Sequence, residues 1–414
     1  MVLTGWVCGA VLADAAEGGD DCFAPIGMLS KGVEHESMGA TGAPTRARAL
    51  AELRSDDGAL VSLVLDLDPR DSPTRSDIAR RRHALVDAAR RERDGIERAG
   101  RAQFDDAVEA LASADPTPPE GVRARGLVAV ADGGDVKQTW LARPVADRVV
   151  VGSRAAVWEL AGHAARPSSA VVIEVSRELG RAWRYDDGQV AELFDASVHA
   201  ERRHDQGGWE QADLQRWHDR EARLHLRDAA ERLERLRAGY GHDAIVVCGP
   251  VEATSAFSDE LGPWSSEHVA AVHADVRHLH TDAIRDLAEE ALADLHGGRE
   301  EELLAALDTQ RARDDSSPDD PDELVSAISD ARVSCLLTAG AVDIDVFSCP
   351  QCGRLAARFH ECPLDGTPMQ KERSGIDALC AEVLIRDGSV WILRDPEVAR
   401  ALGPAGVAAL TRFS

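Results

Sequence analysis

The sequence contains no asparagine and only three lysines, Lys31, Lys137 and Lys371. It has no run of about 18 apolar residues, which excludes a membrane-spanning helix. Cations are in deficit: Lys and Arg number 47 against 73 Asp and Glu, a formal net charge of −26. That balance excludes a histone-like or basic-tailed nucleic-acid binder, because nonspecific phosphate binding needs excess Lys and Arg. It leaves a locally basic face open. The preference for Arg over Lys reads first as a coding bias. No G-x-x-x-x-G-K-[ST] loop is present, so nucleotide hydrolysis by the chain itself is not expected. Neither H-E-x-x-H nor G-x-S-x-G occurs. The opening run MVLTGWVCGAVL lacks a positive n-region, and Asp14 and Glu17 follow it closely, which argues against a secretory signal.

Hydrophobic content of 44% and charged content of 29% indicate a globular chain, and 414 residues suggest two to three domains. Of the eight cysteines, three crowd into one segment at Cys349, Cys352 and Cys362. Such clustering in a large chain points to a metal rather than a disulfide framework, and to the cytoplasm. The remaining cysteines read as small apolar residues.

The pattern predicts an α/β (α+β) protein of three domains, with mixed sheets, packed helices and a zinc-ribbon-like knuckle in the last domain. Residues 1–40 are Gly-rich and acidic without a clear period, and read as a disordered leader or a misplaced translation start. Residues 41–166 form an N-terminal α/β domain. Its signals are the β-rich run VSLVLDLD at 61–68, a helix over 74–99, a second over 101–113, and three β-like runs. The helix over 74–99 carries Arg80–Arg82, which suits either a phosphate-bearing partner or a solvated face. RPSS at 166–169 looks like a linker.

The central domain, 167–307, opens on a buried strand at 170–175 and a hairpin around Asp186-Asp187-Gly188. A long helix with period-matched Leu226, Ala229, Ala230, Leu233 and Leu236 follows, ended by Gly239 and Gly241. Then come the strand AIVVC at 244–248 and a helix over 281–296. Residues 308–323 form a polar linker, and 324–414 a C-terminal α/β domain. The segment holding His268, His273, His278 and His280 fits no common metal spacing and reads as surface or partly buried histidine.

The most informative segment is Gly207-Gly208-Trp209-Glu210-Gln211. Adjacent glycines carry no Cβ and permit φ > 0, so such a loop can enter a crowded space and present backbone N–H groups and one amide. Arg202, Arg203, Arg216 and Arg220 could meet phosphates along the approach, although neighbouring acids nearly cancel them. An ordinary exposed loop is the alternative.

Cys349-Pro-Gln-Cys352-Gly is a half-site for tetrahedral zinc, and Cys362-Pro-Leu-Asp365-Gly repeats its spacing with Asp in place of the fourth Cys. Asp365 could supply an oxygen, or His360 a nitrogen. The alternative is a decayed ribbon that keeps its turns without metal. A structural role follows from the absence of an acid–base pattern around it.

The run RRHDQGGWEQADLQRWHDREARLHLRDAAERL, followed by AIVVCGP, resembles the central domain of the archaeo-eukaryotic class-1 release factor superfamily. The Gly-Gly-Trp-x-Gln variant looks like its bacterial branch, which includes Pelota-like and Balon-like proteins. The cysteine knuckle and the ending GVAALTRF also resemble that family. The resemblance implies a protein that occupies the ribosomal A site, with rRNA and peptidyl-tRNA as partners, a translational GTPase as a further partner, and neither membrane nor DNA.

Gly207, Gly208 and Gln211 would then be the catalytic loop for peptidyl-tRNA ester hydrolysis. Arg202, Arg203, Trp209, Arg216 and Arg220 would contact RNA. In the family the Gln positions water and stabilises the oxyanion rather than acting as a base. Trp209 holds the place of that Gln, so either Gln211 takes the role or hydrolysis is lost. The family's stop-codon readers carry Asn-Ile-Lys-Ser, which a chain without Asn cannot contain, so no stop-codon decoding is expected. Ribosome rescue by hydrolysis, hibernation by occupancy without chemistry, and a zinc-ribbon interaction protein are the three readings to be separated.

Overall fold

The computed structural model describes residues 33–34, 43–71, 74–119, 124–197, 211–237, 242–274, 278–313, 320–393 and 396–412. The N-terminal elements are β1 (Val33–Glu34), α1 (Ala43–Ala51), β2 (Leu60–Asp66), α2 (Arg75–Arg91), α3 (Arg101–Ser113), β3 (Gly126–Asp132), β4 (Asp135–Leu141), β5 (Arg148–Gly152) and α4 (Trp158–Ala164). They build a sheet of order β1-β4-β3-β2-β5. Every residue of β2 is buried. Its Leu63 and Leu65 pack with Phe104 and Val108 of α3, while Val64 points into a second core on the other face. Coverage of both faces accounts for the unbroken apolar run.

The helix expected over 74–99 is shorter. Thr74 caps α2 by accepting the Asp77 amide at 3.1 Å, and the helix stops at Arg91. Gly95 then turns the chain where a Cβ would sit 2.6 Å from the Arg373 guanidinium.

The central elements are β6 (Ser169–Val175), β7 (Gly180–Asp186), β8 (Gln189–Asp195), α5 (Gln211–Arg237), β9 (Ala244–Gly249), α6 (Val251–Ser258), α7 (Pro263–Glu267), β10 (Val269–Ala274) and α8 (Thr281–Ala312). The sheet order is β10-β9-β6-β7-β8, with β10, β9 and β6 parallel and the β7–β8 hairpin antiparallel. Asp187 and Gly188 turn that hairpin with φ of 46° and 87°, the positive pair that matches strand twist. Alternate residues of β6 and β9 face opposite ways. Ala170, Val172 and Val246 meet Ile284 and Ala288 of α8. Val171, Ile173 and Val247 meet Leu226 and Leu233 of α5. Ser169 starts β6 and Arg166 is buried, donating to the Ile392 carbonyl at 2.8 Å, so the stretch 166–169 is packed rather than a free linker.

α8 is about 48 Å long at about 1.5 Å per residue. Its first half, through Ile284, Ala288 and Leu292, belongs to the central core. Its second half, through Leu303 and Leu307, belongs to a core with Leu337 and Trp391. Gly297 and Gly298 lie between them, and a Cβ at either would meet nothing within 4 Å. The helix expected over 281–296 therefore continues to Ala312, into the stretch read as linker. Burial of Leu303 and Leu307 outweighs the poor helix propensity of the glycines.

The C-terminal elements are α9 (Pro321–Ser329), β11 (Val333–Thr338), β12 (Phe347–Ser348), β13 (Leu355–Ala356), β14 (Gln370–Lys371), α10 (Gly375–Ile385), β15 (Ser389–Ile392) and β16 (Val407–Thr411). One sheet runs β15-β11-β16, and a smaller one β13-β12-β14. Within the last run, Val407–Thr411 form a strand antiparallel to β11. Ile328, Leu379 and Val383 pack in one core with Leu50, Val64, Val128 and Leu160. The first and last parts of the chain thus share a single apolar interior. The whole is a mixed α/β protein, and among the described residues no helix is long and apolar enough to cross a membrane.

Candidate functional site

The glycine-glycine loop falls between β8 and α5. Arg202, Arg203, Gly207, Gly208 and Trp209 lie outside the described residues. Gln211 is the first residue of α5, and Arg216 and Arg220 lie farther along it. Arg220 is exposed, and so are Glu221, Arg223 and Leu224. Burial on α5 begins at His225 and Leu226. α5 is about 40 Å long (27 residues at about 1.5 Å each) and packs on the central sheet through Leu226, Ala229, Ala230 and Leu233. Gly239 and Gly241, expected to end that helix, also lie outside the described residues.

The metal candidates converge. Ligand atoms of Cys349, Cys352, Cys362 and Asp365 all lie within 4.8 Å of one another. Two matching turns bring them together. In the first, the Gly353 amide donates to the Cys349 carbonyl at 2.9 Å, and Gly353 takes φ of 74°. In the second, the Gly366 amide donates to the Cys362 carbonyl at 2.8 Å, and Gly366 takes φ of 73°. Asp365 therefore stands in the second turn where Cys352 stands in the first. His360 is exposed, accepts no place in the cluster, and lies against the Glu361 carbonyl through Nδ1 at 2.6 Å.

The spacing suits zinc. A tetrahedron with Zn–S bonds of about 2.3 Å separates its sulfurs by about 3.8 Å. Cys352 and Cys362 Sγ are 3.5 Å apart, and the Cys349 Sγ is 3.4 and 3.6 Å from the Asp365 oxygens. The Thr367 amide and hydroxyl, with the neighbouring thiols, hold the Asp365 carboxyl down at about 2. Desolvation and the crowd of Cys362, Cys349 and Asp365 push the Cys352 thiol up to about 12. A divalent ion would suit this set of three sulfurs and one carboxylate.

The other candidates disperse. His268 stacks on Trp264 at 3.8 Å, and the His278 amide donates to Glu174 at 2.6 Å. Neither they nor His273 and His280 belong to a metal-holding group among the described residues. The Arg80–Arg82 run is not a continuous basic face. Arg81 pairs with Asp147 at 2.6 Å, Arg82 donates to the Ala114 carbonyl, and Arg80 remains exposed beside Asp77.

Sequence reasoning missed an ionic seam between the first and last parts of the chain. Arg148 bonds Glu159 at 2.5 and 2.6 Å and Asp377 at 2.7 and 3.0 Å. Asp377, almost wholly buried, also accepts the amides of Val157 and Trp158 and the Ser374 hydroxyl. Burial and then the like charge of Asp377 raise the Glu159 carboxyl against the pull of Arg148. A second group joins buried Arg154 to Glu372 at 3.1 Å, to Glu382 at 3.6 Å and to the Gly353 carbonyl at 3.3 Å. Arg148 and Asp377 are 229 residues apart in sequence, and Arg154 and Glu372 are 218 apart, so no local signal could have paired them.

Fold and site together define an α/β protein with a glycine-rich loop leading a long helix and a Cys₃Asp knuckle. Residues 140–296 match the family model for bacterial archaeo-eukaryotic release factor family 10. No curated protein sequence matches it. Solved structures also match the chain. An archaeal translation termination factor, aRF1, is 14% identical, with 91% of this chain and 99% of that one covered and a TM-score of 0.26. An archaeal Pelota, described as ribosome-bound with ABCE1, is 15% identical over 69% and 78%, with a TM-score of 0.38. Dom34 of S. cerevisiae, described as a translation termination-like factor that interacts with Hbs1, is 11% identical over 68% and 74%, with a TM-score of 0.35.

Proposed function

We propose that this chain is a ribosome-associated, release-factor-like protein that enters the A site and acts on peptidyl-tRNA in ribosome rescue, without decoding stop codons. The observation that carries this is the family match over 140–296, which contains the Gly-Gly-Trp-Glu-Gln segment at the head of α5. In this reading Gly207 and Gly208 present backbone N–H groups to the developing oxyanion, and the Gln211 amide orients water for attack on the ester. Arg202, Arg203, Arg216 and Arg220 meet phosphates, and Trp209 stacks on a base. A translational GTPase is the accompanying partner this reading implies.

One specific feature favours a second reading. Trp209 occupies the position of the family's Gln, which suits a factor that fills the A site of idle ribosomes without chemistry.

Sedimentation with 70S ribosomes at physiological salt, followed by a release assay on the bound fraction, tests both. Cosedimentation with ester cleavage that Gln211→Ala lowers by about 10²-fold or more supports hydrolysis. Cosedimentation without cleavage supports occupancy alone. Absence from the ribosomal pellet refutes both and promotes a zinc-ribbon interaction protein.

A further inference from the structure

We propose that Cys352 and Cys362 form a peroxide-sensitive thiol pair whose oxidation expels the metal from the knuckle and loosens the N-terminal part of the chain from it. This inference is independent of ribosome binding.

The four ligands are not equivalent. Cys352 is exposed, whereas Cys349 and Cys362 are buried. The Cys352 and Cys362 sulfurs, 3.5 Å apart, come from different turns, whereas Cys349 lies against Asp365. Cys352 is therefore the sulfur that a solvent-borne peroxide reaches, and Cys362 the one placed to resolve it.

The chemistry balances with hydrogen peroxide as the two-electron oxidant. Kept ionised by the cation the knuckle would hold, the Cys352 sulfur attacks one peroxide oxygen, the O–O bond breaks, and the leaving oxygen takes a proton to depart as water. The Cys362 thiolate then attacks the sulfenic sulfur, forming the S–S bond and releasing the second oxygen, with a second proton, as water. Two thiolates, one peroxide and two protons give one disulfide and two waters. Only Cys349 and Asp365 then remain as ligands, too few for a structural zinc site, which needs four.

The knuckle's first turn is also a wall of the N-terminal part's seat. Residues 349–353 line a cleft of about 440 Å³ together with Arg54, Gly58, Gly152 and Ser153. Buried Arg154 donates to the Gly353 carbonyl at 3.3 Å while held by Glu372 and Glu382. Bonding the two sulfurs draws the turns together by about 1.5 Å. The Gly353 carbonyl that Arg154 contacts follows Cys352 on the turn that must adjust, while the two glutamates hold Arg154 in place.

The test uses the full chain loaded with zinc. Zinc release is read with a chromogenic chelator, disulfides by peptide mapping, and backbone amides 54–58 and 151–154 by hydrogen exchange. Peroxide is expected to release one zinc per Cys352–Cys362 disulfide and to speed exchange at those amides about tenfold, reversed by thiol reductant and zinc. Cys352→Ser removes a ligand and weakens zinc binding, so Asp365→Cys is the second variant. It keeps the pair with a fourth thiolate and is expected to form the same disulfide while releasing zinc more slowly. Retention of zinc after peroxide, a Cys349–Cys352 disulfide instead, failure of the reduced chain to take up zinc, or unchanged exchange at 54–58 would each overturn the proposal.

Discussion

Replacing Arg148 by Met isolates the ionic seam. The change keeps most of the side-chain volume but leaves Glu159 and Asp377 facing each other, at 6% and 1% exposure, without their shared cation. Removing one partner from such a buried group costs about 3–5 kcal/mol, a large part of the stability of an ordinary domain. The cost depends on pH with a definite sign. Glu159 already has a folded pKa above its ordinary value, so its contribution is full below the ordinary carboxylate range and is lost as pH rises through the raised value. Without Arg148 that value climbs further. The deficit of the variant is therefore largest at neutral pH and shrinks on acidification, as one carboxyl takes up a proton. Urea unfolding of both proteins at about pH 7.5 and about pH 5 measures this, and Trp158, whose ring lies 5.6 Å from the Arg148 guanidinium, gives a fluorescence report. A deficit below about 1 kcal/mol, or one equal at both pH values, would refute the reasoning.

Three further outcomes follow from packing. Gly297→Ala and Gly298→Ala should each stabilise the chain by about 0.5–1 kcal/mol, since α8 has room for both methyl groups; a lower melting temperature contradicts this. Gly375→Ala should destabilise by about 1–3 kcal/mol, because the new Cβ would overlap the Ile344 carbonyl oxygen; an unchanged urea midpoint would show that the start of α10 can move aside. Leu307→Ala, at a fully buried position, should cost about 2–5 kcal/mol and raise hydrogen exchange in β11 and β15 more than in β6, reporting which core the end of α8 serves.

Much of the fold was legible in local pattern. The buried run of β2, the Asp187-Gly188 hairpin and the Leu226–Leu233 face of α5 each follow from periodicity and turn chemistry. The end of α8 was not, because the signal that would stop a helix, Gly297-Gly298, is overridden by Leu303 and Leu307 docking on a distant sheet. An apolar strand such as β2 announces that both faces are covered, but not that α9 and α10 supply the second cover. At the knuckle, the equal i, i+3 spacing of Cys349–Cys352 and Cys362–Asp365 already indicated Asp365. Spacing alone could not set aside His360, and the fold does so by turning it outward.

The core that joins Leu50, Val64 and Leu160 to Ile328, Leu379 and Val383 has a consequence for synthesis. The first sheet has one apolar face that its own helices α1 and α4 cover only in part, and the rest of its cover is encoded near the far end of the chain. At about 5–20 residues per second, the roughly 200 residues between α4 and α10 take about 10–40 s to emerge. Throughout that interval Val64, Val128 and Val130 must stay out of aggregates while the central sheet, whose strands and helices are contiguous, closes first. Synonymous changes that slow translation between 165 and 375 lengthen the time for which that face stays half covered.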